Sequence, residues 1–170
     1  MKRKAVVILE DYVLENLIKH SESDPEKECG GFLFGKISKI KDGVIHCYVT
    51  GIYSGYGFDS TDNRFTFKPE YWKSAEDWGK KQNLNMIGFY HSHGIYKPIP
   101  SEQDLTSYDS VFPTEGLSII YSPSHGIHAD LICQDTVIMG NDIYVKNRDG
   151  SYKLVEDIFD HANEPHSRKK

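Results

Sequence analysis

The chain has 170 residues, which is the length of one domain, and 38% of them are hydrophobic, which is enough for a single buried core. Its net charge of −5 disfavours nucleic acid as the main partner, its longest apolar run (Ala5 to Leu9) is too short for a membrane helix, and its three cysteines are an odd number for a disulfide framework. We therefore expect a cytoplasmic protein that has one domain over residues 1–160 and a disordered tail over residues 161–170, and that binds neither nucleic acid nor a membrane.

In the first half of the chain, hydrophobic spacing predicts a strand, a helix, two paired strands and a second helix. These elements span residues 6–9, 10–20, 31–39, 44–50 and 69–82. Asp42-Gly43 is a hairpin turn signal between the paired strands, and Pro69 suits the first turn of the second helix. The intervening stretch 51–63 contains three glycines and two tyrosines, and it predicts a mobile loop or an irregular edge.

In the second half, the apolar stretch 84–93 predicts a central strand, and the two prolines within 94–100 predict irregular backbone. A helix is predicted to begin near Ser101, and a terminal helix is predicted around Val155. Three further strands are predicted over residues 117–121, 128–133 and 136–145. Because helices separate groups of strands, we expect an α/β (α+β) domain with a central mixed sheet flanked by helices.

One cluster of residues carries metal chemistry. His91-Ser92-His93 is followed by Ser101 and then, three positions later, by Asp104. Residues i and i+2 of a strand point to the same face, so His91 and His93 can aim two imidazoles at one point. Ser101 and Asp104 are three apart across a helix start, which places them on one side. Two imidazoles, one carboxylate and a water form the ligand set of a catalytic zinc site.

Simpler explanations exist for the same residues. Eight histidines in 170 residues give about 0.4 His-x-His pairs by chance, so the pair alone is weak. Ser101-x-x-Asp104 also resembles a capping box at a helix start. Requiring Ser and Asp at the fixed offsets lowers the chance figure to about 0.003, which favours a functional site. The two explanations are compatible, because a capping Ser101 would hold Asp104 in place.

The pattern HSH-x7-S-x2-D, with Glu28 before the glycine-rich stretch 29–35, resembles the JAMM motif of JAB/MPN-domain zinc metalloproteases. The resemblance extends from the first helix to about Val145, and the short chain is similar to the compact prokaryotic members. It implies a single MPN/JAB-like domain with a cytidine-deaminase-like sheet. The sequence departs from the family at Gly94, where a proline is common, and it has no long insertion of the kind that grips ubiquitin in the eukaryotic chain-specific members.

The resemblance also assigns roles to the motif residues. It implies that His91, His93 and Asp104 bind one Zn²⁺ per chain. Glu28 would take a proton from the attacking water and pass it to the leaving amine, and Ser101 would donate a hydrogen bond to the oxyanion. These roles agree with the general behaviour of zinc-activated water, carboxylate bases and oxyanion donors.

The function that the resemblance implies is a metallopeptidase of the deubiquitinase-like isopeptidase type. Its substrate would be the amide that follows the C-terminal tail of a ubiquitin-like or sulfur-carrier protein, and conjugation enzymes encoded in the same operon would be partners. Two other functions stay open. One is a non-catalytic MPN scaffold, and the other is a zinc hydrolase of small amides.

Several residues near the motif have supporting roles in this prediction. Ser92 points to the opposite strand face from the histidines, so we expect it to make a hydrogen bond behind the site. Tyr53 and Tyr56 either pack at the rim of the core or contact substrate. Cys29 is predicted to be a buried strand cysteine, because a fourth protein ligand would close the zinc site. The histidines outside the motif have no shared spacing and predict no second metal site.

Overall fold

The computed structural model describes residues 4–23, 28–39, 43–54, 59–61, 64–66, 69–93, 97–101, 115–133 and 136–156. The strands are β1 (Lys4–Glu10), β2 (Gly30–Lys39), β3 (Val44–Ser54), β4 (Asp59–Thr61), β5 (Arg64–Thr66), β6 (Asn85–Ser92), β7 (Glu115–Ser122), β8 (Gly126–Cys133), β9 (Thr136–Ile138), β10 (Asp142–Lys146) and β11 (Tyr152–Leu154). The helices are α1 (Asp11–Glu22) and α2 (Pro69–Lys81). In the described part of the chain, no helix is both long enough and apolar enough to cross a membrane.

Nine strands form one mixed sheet in the order β11-β10-β1-β3-β2-β6-β7-β8-β9, and β4 and β5 form a separate small sheet. β1 runs parallel to both β3 and β10, and β6 runs parallel to β7, whereas the other pairs are antiparallel. The sheet is curled, and the connection between β9 and β10 packs against β8, where the Asn141 N–H donates to the Ala129 carbonyl at 3.0 Å. This mixed sheet with flanking helices confirms the predicted fold class.

Helix α1 lies on the inner face of the curled sheet and fills the main core. It contacts five strands of the sheet, β10, β1, β3, β6 and β7. The residues that it buries recur at helical spacing, as the sequence predicts; the apolar ones are Val13, Leu14 and Leu17. Near the helix end, the Tyr121 hydroxyl donates to Glu22 Oε1 at 2.7 Å and fastens α1 to β7.

Helix α2 covers the other face of the sheet through its two tryptophans. The Trp72 ring meets Phe32 edge-on at a centroid distance of 5.2 Å, and Trp78 meets Phe34 at 5.0 Å. The helix packs closely on the sheet at Gly79. A Cβ added at this position would lie 2.4 Å from the Phe34 ring, which is too short for a normal contact. The prediction that both tryptophans pack this helix on the sheet is confirmed.

The predicted strand over 136–145 is wrong, because β9 and β10 are separate strands. The break lies at Gly140, whose φ of 64° belongs to the left-handed region that favours glycine. The Gly140 N–H donates to Asp130 Oδ1 at 3.0 Å, a tertiary contact that local periodicity does not encode. The short strand β11 is also absent from the sequence prediction.

Other predictions are met in part or lie outside the described residues. The first residues of the stretch 51–63 continue β3 rather than form a loop, and residues 59–61 form β4. The helix predicted to begin near Ser101 lies outside the described residues from position 102 onward, as do most of the predicted terminal helix and the tail over 161–170.

Candidate metal centre

His91 and His93 stand side by side at the end of the central strand β6. Their side chains are almost wholly buried, with exposed fractions of 1% and 7%. The two Nε2 atoms are 2.9 Å apart, so both rings face one point. Two nitrogen ligands of a tetrahedral zinc ion stand about 3.4 Å apart at Zn–N distances of about 2.0–2.1 Å. The two Nε2 atoms would therefore need to move slightly further apart to bind zinc. Imidazole nitrogen is a ligand type that zinc prefers, so the two side chains fit that metal.

The His93 ring is oriented by a backbone carbonyl. Its Nδ1 lies 2.8 Å from the carbonyl oxygen of Lys97. Because a carbonyl only accepts hydrogen bonds, Nδ1 is the donor in this contact, which leaves Nε2 to face His91 Nε2 and makes it the ring atom available to a metal. A metal-binding histidine is usually held in this way by a hydrogen bond to its other ring nitrogen. Sequence reasoning missed Lys97, since a backbone carbonyl has no sequence signature.

The backbone at the end of β6 is held from both neighbouring strands. The Ser92 N–H donates to the Cys29 carbonyl at 2.8 Å, toward β2, and the His93 N–H donates to the Tyr121 carbonyl at 2.9 Å, on β7. Alternate residues thus bond to opposite sides, as in a central strand. These bonds fix the backbone from which both imidazoles project.

The strand register leads toward Glu28. Gly30 of β2 pairs with His91, and the bond between Ser92 and Cys29 continues this antiparallel ladder by one step. Glu28 is half-buried and directly precedes Cys29, so the chain enters β2 beside the end of the strand that carries both histidines.

Ser92 and Cys29 lie on the other face of the sheet, toward α1. The Ser92 hydroxyl accepts the Cys29 backbone N–H at 3.0 Å and lies 3.4 Å from Cys29 Sγ. The thiol also donates to the His20 carbonyl at 3.4 Å. Ser92 therefore makes a hydrogen bond behind the site, and the Cys29 thiol points away from the histidines, although the residue is half-buried and precedes β2.

Of the four remaining predicted site residues, the structure describes two, Ser101 and Tyr53. Ser101 ends the described segment 97–101 and is exposed, whereas Asp104 and Tyr56 lie outside the described residues. Tyr53 is half-buried and its ring packs on Trp78 at a centroid distance of 5.7 Å. Within the described residues, no group of three or more histidine, cysteine, aspartate or glutamate side chains is arranged to hold a metal. The described donors are thus the two histidines alone.

A buried polar network that the sequence did not suggest lies behind the site. The Tyr90 hydroxyl is 2.7 Å from His20 Nδ1 and 3.0 Å from Ser54 Oγ, and it joins α1 to β3. Burial lowers the pKa of His20 below its ordinary value. Tyr90 alternates with His91, so this network lies on the α1 face. A tyrosine within an apolar strand stretch was the one available signal, because a buried tyrosine hydroxyl needs a partner.

A contact between a histidine and a carboxylate on β8 stabilises the fold. His128 Nε2 lies 2.7 Å from Asp130 Oδ1, and that oxygen also accepts the Gly140 N–H. The contact therefore ties β8 to the connection between β9 and β10. It lies two strands from His91.

The curled mixed sheet, with a helix on each face and a histidine pair at the end of its central strand, defines a JAB-type domain. The chain belongs to the family described as prokaryotic homologs of the JAB domain, whose family model matches residues 10–133. That range contains every residue of the predicted motif.

The proteins that resemble the chain include one curated relative and one solved structure. A desampylase from Pyrococcus furiosus is 28% identical over 102 residues, which cover 59% of this chain and 65% of the relative. The chain thus matches less than two thirds of that relative's length. The solution structure of a protein from Desulfitobacterium hafniense superposes with a TM-score of 0.66 at 23% identity, covering 84% of this chain and 94% of the other, and it shows the same fold.

Proposed function

We propose that this protein is a zinc-dependent isopeptidase that cleaves the amide bond after the C-terminal tail of a ubiquitin-like or sulfur-carrier protein. The observation that carries the proposal is the buried pair of His91 and His93, whose Nε2 atoms lie 2.9 Å apart at the end of β6, beside the strand that Glu28 precedes. Membership of the JAB family supports a hydrolase of this type. The similarity to a desampylase supports a ubiquitin-like protein as the substrate.

The donor set suits zinc. His91 and His93 would supply two nitrogen ligands, and Asp104 would supply a carboxylate oxygen. When bound by three protein ligands, zinc keeps one position for water, lowers the pKa of that water to about 7 and polarises a substrate carbonyl. The Lys97 carbonyl keeps the His93 lone pair directed at the metal position.

The other motif residues move protons and stabilise charge. Glu28 accepts a proton from the attacking water and delivers it to the leaving amine, a role that requires the carboxylate to lie within hydrogen-bond reach of both. The Ser101 hydroxyl donates a hydrogen bond to the oxyanion of the tetrahedral intermediate, a contribution of about 10²–10³ in rate for donors of this kind.

The segment after His93 is our proposed contact for the substrate. The side chain of Ile99 is 54% exposed, and it lies between Pro98 and Pro100, whose rings restrict the backbone on both sides. Because the Lys97 carbonyl is bonded to the His93 ring, Ile99 is tethered close to the metal position. A rigid apolar side chain beside the scissile bond suits an extended protein tail.

The test combines metal analysis with cleavage of a ubiquitin-like protein fusion that carries an amide after its C-terminal tail. We expect one zinc per chain in the wild type and in Glu28→Ala, with cleavage reduced at least about 10²-fold in the variant. Glu15→Ala, at an exposed position of α1, is the matched control and keeps full activity. Equal turnover by Glu28→Ala would contradict the mechanism, and cleavage of small amides alone would contradict the substrate.

A further inference from the structure

We propose that Ser92 is a positioning residue, whose hydroxyl fixes the place of Glu28 relative to the histidine pair by accepting the Cys29 backbone N–H. The inference rests on the proposed function, in which Glu28 is the general base. It concerns the strand pairing that leads to Glu28, and Ser92 itself touches neither substrate nor metal.

The hydrogen-bond ladder between β2 and β6 ends in an unusual way. A hydrogen-bonded antiparallel pair exchanges two backbone N–H to carbonyl bonds. Here the Ser92 N–H donates to the Cys29 carbonyl at 2.8 Å, but the Cys29 N–H donates to the Ser92 hydroxyl at 3.0 Å. A side chain therefore takes the place of the Ser92 carbonyl in the last bond of the ladder.

The reason lies in the direction of β6 after Ser92. The His93 N–H bonds to the Tyr121 carbonyl on β7, on the side away from β2. The two strands separate at this point, and the short serine side chain spans the gap between them. Without it, the Cys29 N–H would lose its acceptor on β6, and of the two bonds described between Ser92 and Cys29 only the one from the Ser92 N–H to the Cys29 carbonyl would remain.

The burial of Ser92 makes this hydrogen bond important. The hydroxyl lies in the interior, so water cannot readily replace it as the acceptor of the Cys29 N–H, and a buried donor that loses its acceptor is costly. The Cys29 thiol also contacts the His20 carbonyl at 3.4 Å, and this is a weaker bond than the one from the Cys29 N–H to the Ser92 hydroxyl.

Ser92 cannot act as a nucleophile in this arrangement. Its side chain lies on the α1 face with Cys29, whereas the histidines project from the opposite face. Any effect of Ser92 on catalysis must therefore pass through the backbone of residues 28 and 29. This predicts a loss that depends on the presence of the Glu28 carboxylate.

Amide hydrogen exchange of the zinc-loaded, ¹⁵N-labelled chain tests the contact without reference to activity. We expect the Cys29 amide to exchange about tenfold faster in Ser92→Ala and at the wild-type rate in Ser92→Thr, which keeps the hydroxyl. The control is Ser21→Ala, a buried α1 serine whose hydroxyl has no hydrogen-bond partner in the described residues. Equal Cys29 exchange in the wild type and Ser92→Ala would overturn the inference. Should Ser92→Ala fail to fold, Ser92→Cys keeps a weak acceptor and is expected to give intermediate exchange.

A double-mutant cycle then tests the route through Glu28. We expect Ser92→Ala to lower kcat about tenfold with KM and zinc content unchanged, and to cost nothing further in a Glu28→Ala background. Equal losses in both backgrounds would indicate a merely structural role and overturn the inference. If the wild type cleaves no amide, the proposed function fails, while the exchange experiment still decides whether Ser92 holds the segment before β2.

Discussion

The Nδ1 atom of His93 lies 2.8 Å from the carbonyl oxygen of Lys97, four positions further along the chain. This contact makes the orientation of a candidate metal ligand and the position of the following segment depend on each other. The ring cannot turn without releasing Lys97, and the segment cannot move without freeing the ring. Under the proposed function, metal binding by His93 and substrate contact by the following segment would therefore be coupled.

Replacement of His93 by alanine is expected to abolish metal binding. The substitution removes one of the two nitrogen donors that face the metal position, and a zinc site with one ligand missing binds far more weakly. We expect zinc, measured by mass spectrometry after gel filtration, to fall from one per chain to below about 0.1. His125→Ala, at an exposed position in the turn between β7 and β8, should keep the wild-type content. Full zinc in His93→Ala would contradict the assigned ligand set.

Replacement of Ser101 separates its two predicted roles. If the hydroxyl stabilises the oxyanion, Ser101→Ala lowers kcat about 10²–10³-fold and leaves the melting temperature near that of the wild type. If it serves only as a helix cap, the variant loses about 1 kcal/mol of stability and keeps its kcat. We expect the first result, from steady-state kinetics and thermal unfolding of the same preparations. Ser74→Ala, at an exposed position of α2, controls for loss of a surface hydroxyl.

The histidine pair could be predicted from local spacing, whereas Glu28 was predicted only through the family resemblance. Two histidines at i and i+2 of an apolar stretch share a face in any strand, so His91 and His93 needed only local information. The segment that leads to Glu28 is set beside them by the pairing of β2 with β6, which depends on tertiary contacts that spacing does not encode. The break at Gly140 has a similar cause, because Asp130 of β8 accepts its N–H.

Titration of His20 is expected to make stability depend on pH. Burial lowers the pKa of His20 in the folded chain, whereas the unfolded chain keeps the ordinary value of about 6.5. The unfolded state therefore binds more protons just below this value. The contribution of the neutral ring is full above about pH 6.5 and is lost as the pH falls through that value toward the folded pKa.

The measurement is the free energy of unfolding in urea at about pH 7.5 and about pH 5.5. We expect a smaller fall between the two values in His20→Gln than in the wild type, because the variant cannot titrate at this position. Ser74→Ala, a substitution without a titratable group at an exposed position of α2, should retain the wild-type fall. If the pH dependence of stability is the same in His20→Gln and the wild type, the pKa of the His20 ring, which is bonded to the Tyr90 hydroxyl, is not lowered by burial in the folded chain.

Replacement of Ile99 by serine should distinguish protein substrates from small ones. The Ile99 side chain is 54% exposed and tethered near the metal position through the Lys97 contact, so it can touch the substrate tail without supporting the core. Loss of a well-placed apolar contact typically costs more than 1 kcal/mol, so we expect KM for a protein conjugate to rise about tenfold. Turnover of a short peptide amide that does not reach Ile99 and the zinc content should both stay unchanged.

The matched control for Ile99→Ser is Tyr152→Ser. Tyr152 is similarly exposed, at 56%, but it lies on β11 at the sheet edge, and four strands separate β11 from β6 in the sheet order. Steady-state kinetics on both substrates should leave this variant at wild-type values. If Ile99→Ser raises KM for the conjugate and the short peptide alike, the side chain affects the site itself. If neither KM changes, the substrate tail follows another path over the domain.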